Sequence, residues 1–280
     1  MKRIEIKAPA KINIGLDVLS KREDGYHNLN TLFYPILDLF DVLIFEWSER
    51  FEFICNASSI PNDESNLVVK AAKLLENFSG KSITAKIELR KNIPSQAGLG
   101  GGSSDAAATL ISINEMFQLG IKYEKMLELA LELGSDVPFF IKAKPAIGTS
   151  RGEALKMVNV DIEEPILIVN PGINVSTKEA FSNIKGNEAA SDFLALITEG
   201  KFSYSLARAL IKNDFESNVF KLYPEIGEIK KTLYDCGALF ALMSGTGSTV
   251  YGIFSNIEAA KKAKAYLPRN YFCFTSTPHM

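Results

Sequence analysis

Cysteine is scarce in this 280-residue chain: Cys55, Cys236 and Cys273 are three in number, far apart and without C-x-x-C spacing. An odd count at such separations supports neither a disulfide framework nor a zinc site. Long apolar runs are missing too. No stretch approaches the roughly 20 residues needed to cross a bilayer, and the opening MKRIEIKAPAKINIGL is basic at its start but lacks the continuous apolar segment of a secretory signal. Neither sign of charge is in excess, since 31 Lys and Arg against 33 Asp and Glu leave a formal net charge of -2. No global attraction to nucleic acid or to an anionic membrane is therefore expected, although a local basic pocket is allowed. A plain RNA-binding reading fails for want of a basic cluster beside aromatics. Repeats and low-complexity tracts are absent. What is present is the composition of a folded, soluble, cytoplasmic protein, with 46% hydrophobic and 23% charged residues. The length suits one large domain or two ordinary ones.

The first part of the chain opens with strand-like alternation at 3–7, 11–18, 31–36 and 42–45. Leu67, Ala71, Leu74, Leu75 and Phe78 fall on one helical face, which predicts a helix over 66–78 stopped by Gly80. A strand over 83–89 precedes a glycine run, a helix over 105–117, a second over 123–133 stopped by Gly134, and a strand over 139–147. The polar stretch 159–164 reads as a boundary, dividing the chain into 1–160 and 161–280. Beyond it come a buried-type strand at 165–170, helical stretches filling 177–235, strands at 239–243 and 249–254, a helix at 257–267 and a strand at 271–275. With the helical insert set aside the order is β-α-β-β-α-β.

The glycine run is PSQAGLGGGSS: Pro94, Ser95, Gln96, Ala97, Gly98, Leu99, Gly100, Gly101, Gly102, Ser103 and Ser104. Without Cβ atoms its backbone can take positive φ and turn N–H groups toward one point. Ser103, Ser104 and Asp105 offer capping groups, and the following helix adds the positive end of its dipole. Together these describe a phosphate site. The run lacks the Gly-Lys-Ser/Thr of a Walker A loop, and Ser103 stands where a dinucleotide fingerprint needs its third glycine. A serine-capped surface turn is the plain alternative. Against it, four glycines in five residues before a helix cost conformational entropy that a mere turn would not require.

The pattern P-x-x-x-G-L-G-G-G-S-S-x-A-A resembles the phosphate-binding motif of the GHMP kinases, the family of galactokinase and of homoserine, mevalonate and phosphomevalonate kinases. Ala8-Pro9-Ala10-Lys11-Ile12-Asn13 is similar to that family's N-terminal motif, and the segment from Met243 to Gly252, MSGTGSTVYG, to its C-terminal glycine motif. The resemblance spans almost the whole chain. It implies an α+β, two-domain fold, with a ribosomal-S5-like domain at 1–160 carrying the ATP-phosphate loop and a ferredoxin-like domain at 161–280. It also implies ATP as phosphoryl donor. Mg²⁺ is expected as the ATP counter-ion, with no protein ligand named, because no carboxylate cluster in the sequence demands one.

Within that family, Lys21 to Thr31, KREDGYHNLNT, is similar to the branch whose acceptor is a cytidine-diphosphate-linked methylerythritol. An aromatic beside an imidazole suits a nucleobase, which stacks on rings and offers a polar edge. The resemblance assigns Asn13, Tyr26, His27 and Thr177 to this acceptor. It places the general base at Asp136, in GSDVPFF, and its partner at Lys11. Taken alone, Tyr26 reads equally as a core residue, His27 as part of the Asp24-Gly25 turn, and Asp136 as a turn or cap. Lys11 in a largely apolar strand either meets an anion or snorkels outward. Glu153 lies in a segment similar to the family's G-x-G-E. Ser150 replaces one of its glycines, which leaves the local backbone and the glutamate's role open. Two competing readings stand beside this one: a different acceptor within the family, and a nucleotide-binding module without turnover.

Overall fold

In the computed structural model the described residues are 3–277, without 182, 183, 185 and 188. They form two compact units, each assembled from separated segments. The first comprises residues 3–10, 39–93 and 100–143, and the second the described residues among 11–38, 94–99 and 144–277. Two long strands supply both: β1 (Ile4–Lys21) and β2 (His27–Trp47). Each was expected as two short strands, but Pro9, Pro35 and the polar positions interrupt only the hydrophobic pattern, not the extended backbone.

In the first unit β2 pairs antiparallel with β4 (Ala85–Arg90), Val42 opposite Arg90 and Trp47 opposite Ala85. Strand β3 (Glu52–Cys55) lies parallel to β4. Helix α1 (Leu67–Ser79) starts where the Asn66 side chain accepts the Val68 N–H and stops at left-handed Gly80, as its periodicity predicts. It packs along α2 (Gly101–Met116), whose Ala106, Ala107 and Ala108 are buried and allow close approach. Helix α2 begins four residues before the expected start. Gly101, Gly102, Ser103 and Ser104 are therefore its first turn, and the cap is left-handed Gly100 rather than a serine or Asp105. Helix α3 (Tyr123–Leu133) ends at Gly134 as expected. Of the strand expected over 139–147 only 146–147 are extended, while its first residues lie in a single turn, α4 (Val137–Phe140). Pro138 suits the first turn of a helix, and Val137, Phe139 and Phe140 bury themselves there.

In the second unit the first half of β2 pairs with β5 (Ala146–Ser150), and β5 with β6 (Ala154–Met157). Next comes β7 (Ile166–Asn170), buried at every position. The insert that follows is less helical than its sequence suggests. It contains α5 (Thr177–Phe181), a 3₁₀ turn, a small hairpin of β8 (Ile197–Thr198) and β9 (Lys201–Phe202), α6 (Tyr204–Leu210) and α7 (Glu216–Leu222). Buried Asp17 of β1 anchors it, accepting the Ser191 N–H at 2.7 Å and the Ser191 hydroxyl at 2.9 Å. After α8 (Pro224–Asp235) come β10 (Phe240–Met243), β11 (Val250–Ile253), α9 (Ile257–Ala265) and β12 (Phe272–Ser276). The four strands stand in the antiparallel order β10-β11-β7-β12. Counted along the chain without the insert this is 2-3-1-4, the order of a split-βαβ, ferredoxin-like sheet, as the element sequence predicts. Leu167, Val169, Ile229, Leu233, Ala260 and Ala263 belong to the core that joins this sheet to α8 and α9. No helix among the described residues is long and apolar enough to cross a membrane.

Candidate active site

In the second unit three of the quoted motifs come together around Lys11. Alternation along β1 turns Lys11 and Asn13 to the same side, and both are buried, at 3% and 2% exposure. Lys11 therefore does not snorkel. Its Nζ donates to Asn13 Oδ1 at 2.6 Å and to the Gly98 carbonyl at 3.0 Å, and it faces the Phe33 ring at 5.5 Å. The Lys11 N–H bonds the Leu99 carbonyl at 3.0 Å, fastening the glycine run to β1. The C-terminal glycine motif closes the arrangement. The Ser244 hydroxyl donates to the Gly98 carbonyl at 2.8 Å and accepts the Asn13 N–H at 3.1 Å, while the Tyr251 hydroxyl donates to the Asn13 carbonyl at 3.1 Å.

Two further residues, which sequence reasoning passed over, hold Ser244 in place. Asn213 donates to the carbonyls of Met243 and Gly245, each at 2.8 Å. Glu216 accepts the Met243 N–H at 2.9 Å and the Lys230 ammonium at 2.6 Å. Burial raises the Glu216 carboxyl above its ordinary range, with Lys230 opposing the rise. Only their distance in sequence hid them.

Gly98 needs to be glycine. Its φ is +75°, and an added Cβ would stand 2.1 Å from the Ser244 carbonyl oxygen. Its own carbonyl is the acceptor shared by Lys11 and Ser244. Asn13, expected on the acceptor substrate, spends its amide on Lys11 and on the Thr31 hydroxyl, which its Nδ2 reaches at 2.9 Å. It is thus placed to aim the lysine.

The expected nucleobase end is also in the second unit. Tyr26 is 55% exposed, which rules out the core alternative, and the Arg151 guanidinium lies 4.9 Å over its ring. Glu153 has a visible task there. Its carboxylate accepts the Arg151 N–H at 2.7 Å and the Ser150 hydroxyl at 3.0 Å, closing the turn that presents Arg151. Ser150 takes φ +62° in that turn, the left-handed backbone that the missing glycine would have favoured. His27 is not a bare turn residue: it stacks on Phe181, with centroids 5.2 Å apart and planes at 22°. Phe181 in turn meets Phe215 edge-on at 4.7 Å. Thr177, exposed at the start of α5, is four residues before Phe181 and shares its helical face. That spacing was the available signal for Phe181, a further ring that the motifs alone did not name.

Of the remaining expected residues, Pro94 to Ala97 lie in the second unit, and Gly100 to Ser104 and Asp136 belong to the first. Gly100 caps α2 at φ +72°, and Gly102 is exposed at its first turn. Ser104 is 1% exposed, and its hydroxyl has no hydrogen-bond partner, so a polar atom stands unused beside the positive end of a 16-residue helix. That fits an anion such as a nucleotide phosphate. Asp136 occupies the position before α4, half-buried, with no side-chain bond to the helix it precedes. It is not serving as a cap. No group of three or more His, Cys, Asp or Glu arranged to hold a metal occurs among the described residues.

The family model for the GHMP kinases N terminal domain matches residues 66–144, and that for the GHMP kinases C terminal matches 193–272. The chain is 40% identical to the 4-diphosphocytidyl-2-C-methyl-D-erythritol kinase of Thermoanaerobacter pseudethanolicus, over 99% of this chain and 96% of that relative. It is 39% identical to the kinase of the same name from Chloroherpeton thalassium, over 95% and 94% respectively. A crystal structure of a 4-(cytidine 5'-diphospho)-2C-methyl-D-erythritol kinase superposes with a TM-score of 0.81 at 33% identity, covering 97% of this chain and 98% of the other. The homoserine kinase of Cytophaga hutchinsonii, with a TM-score of 0.75 at 21% identity over 99% and 95%, shares the fold.

Proposed function

The chain belongs to the GHMP kinases, among the 4-diphosphocytidyl-2-C-methyl-D-erythritol kinases, and from that premise we propose how its residues carry out the phosphoryl transfer. The reaction passes the γ-phosphoryl group of ATP to the 2-hydroxyl of 4-diphosphocytidyl-2-C-methyl-D-erythritol, giving the 2-phosphate and ADP. It is a step in making isoprenoid precursors without mevalonate. The observation that carries this reading is near-full-length identity of about 40% to kinases of that name, together with a buried lysine fixed to the carbonyl of the glycine run.

Phosphoryl transfer asks the protein for position and charge rather than covalent chemistry. Pro94 to Ser104 and the first turn of α2 hold the ATP phosphates. Lys11, aimed by Asn13 and Gly98, meets the charge that develops on the phosphoryl oxygens and on the attacking oxygen. Asp136 accepts the proton of the 2-hydroxyl, a role worth about 10²–10⁴-fold. Tyr26, His27 and Phe181 receive the cytosine, and Thr177 borders the same end. Mg²⁺ accompanies ATP and neutralises its phosphates, and no protein ligand is assigned to it. We keep 1–160 and 161–280 as the two sequential domains, because the family models match on either side of residue 160.

The test is ADP release measured with a panel of acceptors. The cytidylylated methylerythritol should be turned over at least about 10²-fold more efficiently than homoserine, mevalonate or galactose, since loss of base stacking and edge contacts forfeits several kcal/mol. Comparable turnover of any of these would assign a different acceptor. Absence of turnover with all of them would leave a nucleotide-binding module.

A further inference from the structure

Beneath the phosphate helix, in the first unit, three charged side chains meet away from solvent. Asp41 of β2 is 0% exposed and Asp105 of α2 3%, and the Lys91 side chain is 8% exposed. The Lys91 ammonium donates to the Asp41 carboxylate and, at 2.8 Å, to Asp105 Oδ2. Asp41 Oδ1 accepts the N–H groups of Asn92 at 2.6 Å and Ile93 at 2.9 Å, so it fixes the backbone that leads into the glycine run. A Cβ placed on Gly101 would lie 3.2 Å from Lys91 Nζ. The ammonium therefore rests against the first residue of α2.

Lys91 needs one carboxylate for neutrality and has two. A surplus buried acid is costly unless its charge is suppressed or used. Asp105 Oδ1 has no hydrogen-bond partner at all. Burial drives the Asp105 carboxyl up to about 7, the Lys91 ammonium opposing and the Asp41 carboxylate adding to the rise. The helices packed on α2 bring mainly apolar side chains: Val68 and Ala72 of α1, Met126 and Leu129 of α3, Val137 and Phe140 of α4. Lys91 and Asp41 are the charges that act on Asp105.

We propose that Asp105 is a positioning residue of the nucleotide site, which through Lys91 ties the first turn of α2 to segment 91–93 and by its own charge sets how strongly that turn attracts ATP phosphates. This rests on the glycine run being the ATP-phosphate site. With Asp105 neutral the triad carries no net charge. With Asp105 ionised it carries one negative charge close to the phosphates and weakens their binding. Nucleotide affinity thus falls as pH rises through neutrality.

The test measures ADP dissociation constants by calorimetry at about pH 6 and about pH 8.5, for the intact protein and for Asp105→Asn. Between these pH values the unsubstituted protein should weaken on the order of fivefold more than the variant, the size expected for one charge across a partly screened separation. Using the difference between proteins cancels the titration of ADP itself. Asp105→Asn should also change KM for ATP while KM for the acceptor stays within about twofold. Equal pH dependence in both proteins, or KM values for ATP and acceptor that move together, overturns the proposal. Failure of the unsubstituted protein to bind ADP overturns instead the nucleotide reading beneath it. If Asp105→Asn melts below the assay temperature, Asp105→Ser is read by the same two criteria.

Discussion

Replacing Gly98 by alanine adds one methyl group to the chain and should disable the enzyme. The left-handed backbone at φ +75° costs an L-residue about 1–2 kcal/mol. The new Cβ would stand 2.1 Å from the Ser244 carbonyl oxygen and 3.2 Å from that of Gly247. Backbone atoms cannot rotate aside as a side chain does, so one of the two glycine segments must shift by about 1 Å, given close packing of the interior. The shift strains the two hydrogen bonds to the Gly98 carbonyl. That from the Lys11 ammonium is worth about 1.5–3 kcal/mol, and that from the Ser244 hydroxyl about 0.5–1.5 kcal/mol. Partial loss of both, added to the backbone term, predicts a destabilisation of about 3–5 kcal/mol. Displacing the Lys11 ammonium by such an amount should also lower kcat about 10²-fold. Urea unfolding and ADP-release kinetics read the two quantities. Gly102→Ala is the matched control: Gly102 is already helical, and a Cβ there meets nothing nearer than Leu67 Cδ1 at 3.7 Å. Its stability should be unchanged or raised by up to about 1 kcal/mol. If Gly98→Ala unfolds within about 0.5 kcal/mol of the control, the close approach to Ser244 carries no weight and the reasoning fails.

Three further outcomes are expected. Asp136→Asn should lower kcat by about 10²–10⁴-fold with ADP affinity retained, and near-normal steady-state turnover would remove Asp136 as the base. Tyr26→Ala and Phe181→Ala should each raise KM for the cytidylylated acceptor by about 5- to 100-fold, the span of one lost base stack, with KM for ATP unchanged. An equal rise for both substrates would count against a nucleobase there. Finally, because folding lifts the Asp105 carboxyl from 3.8 to about 7, its contribution to stability is complete below the lower value and is lost as pH climbs through the upper one. Asp105→Asn should therefore flatten the stability profile between about pH 4 and pH 7, and urea midpoints that keep their slope would refute the shift.

Much of this was legible in the chain because it is written locally. A helix ending at Gly80 and the β-α-β-β-α-β order past residue 165 follow from periodicity and turn residues, whose physics reaches only a few positions. The start of the strand expected over 139–147 was misplaced because Phe favours a strand in isolation, whereas Pro138 and burial of the Phe139 and Phe140 rings favour a helical turn. Gly101 and Gly102 read as loop because glycine is a poor helix former, yet packing on α1 keeps them helical.

The site divides in the same way. Residue types and short spacings by themselves described Pro94 to Ser104 as a run suited to phosphate and set an aromatic beside an imidazole at Tyr26 and His27, while it took the resemblance to the GHMP kinases to single out Lys11 and Asp136. Only the tertiary structure decided that Lys11 is buried and aimed by Asn13 and Gly98, that Ser244 reaches the same carbonyl from 146 residues away, that Phe181 completes the ring stack, and that Asp41, Lys91 and Asp105 share one buried charge system. The reason is range. A motif is fixed by neighbours along the chain, while a buried charge takes its partners from whatever distant segment the fold brings within about 3 Å.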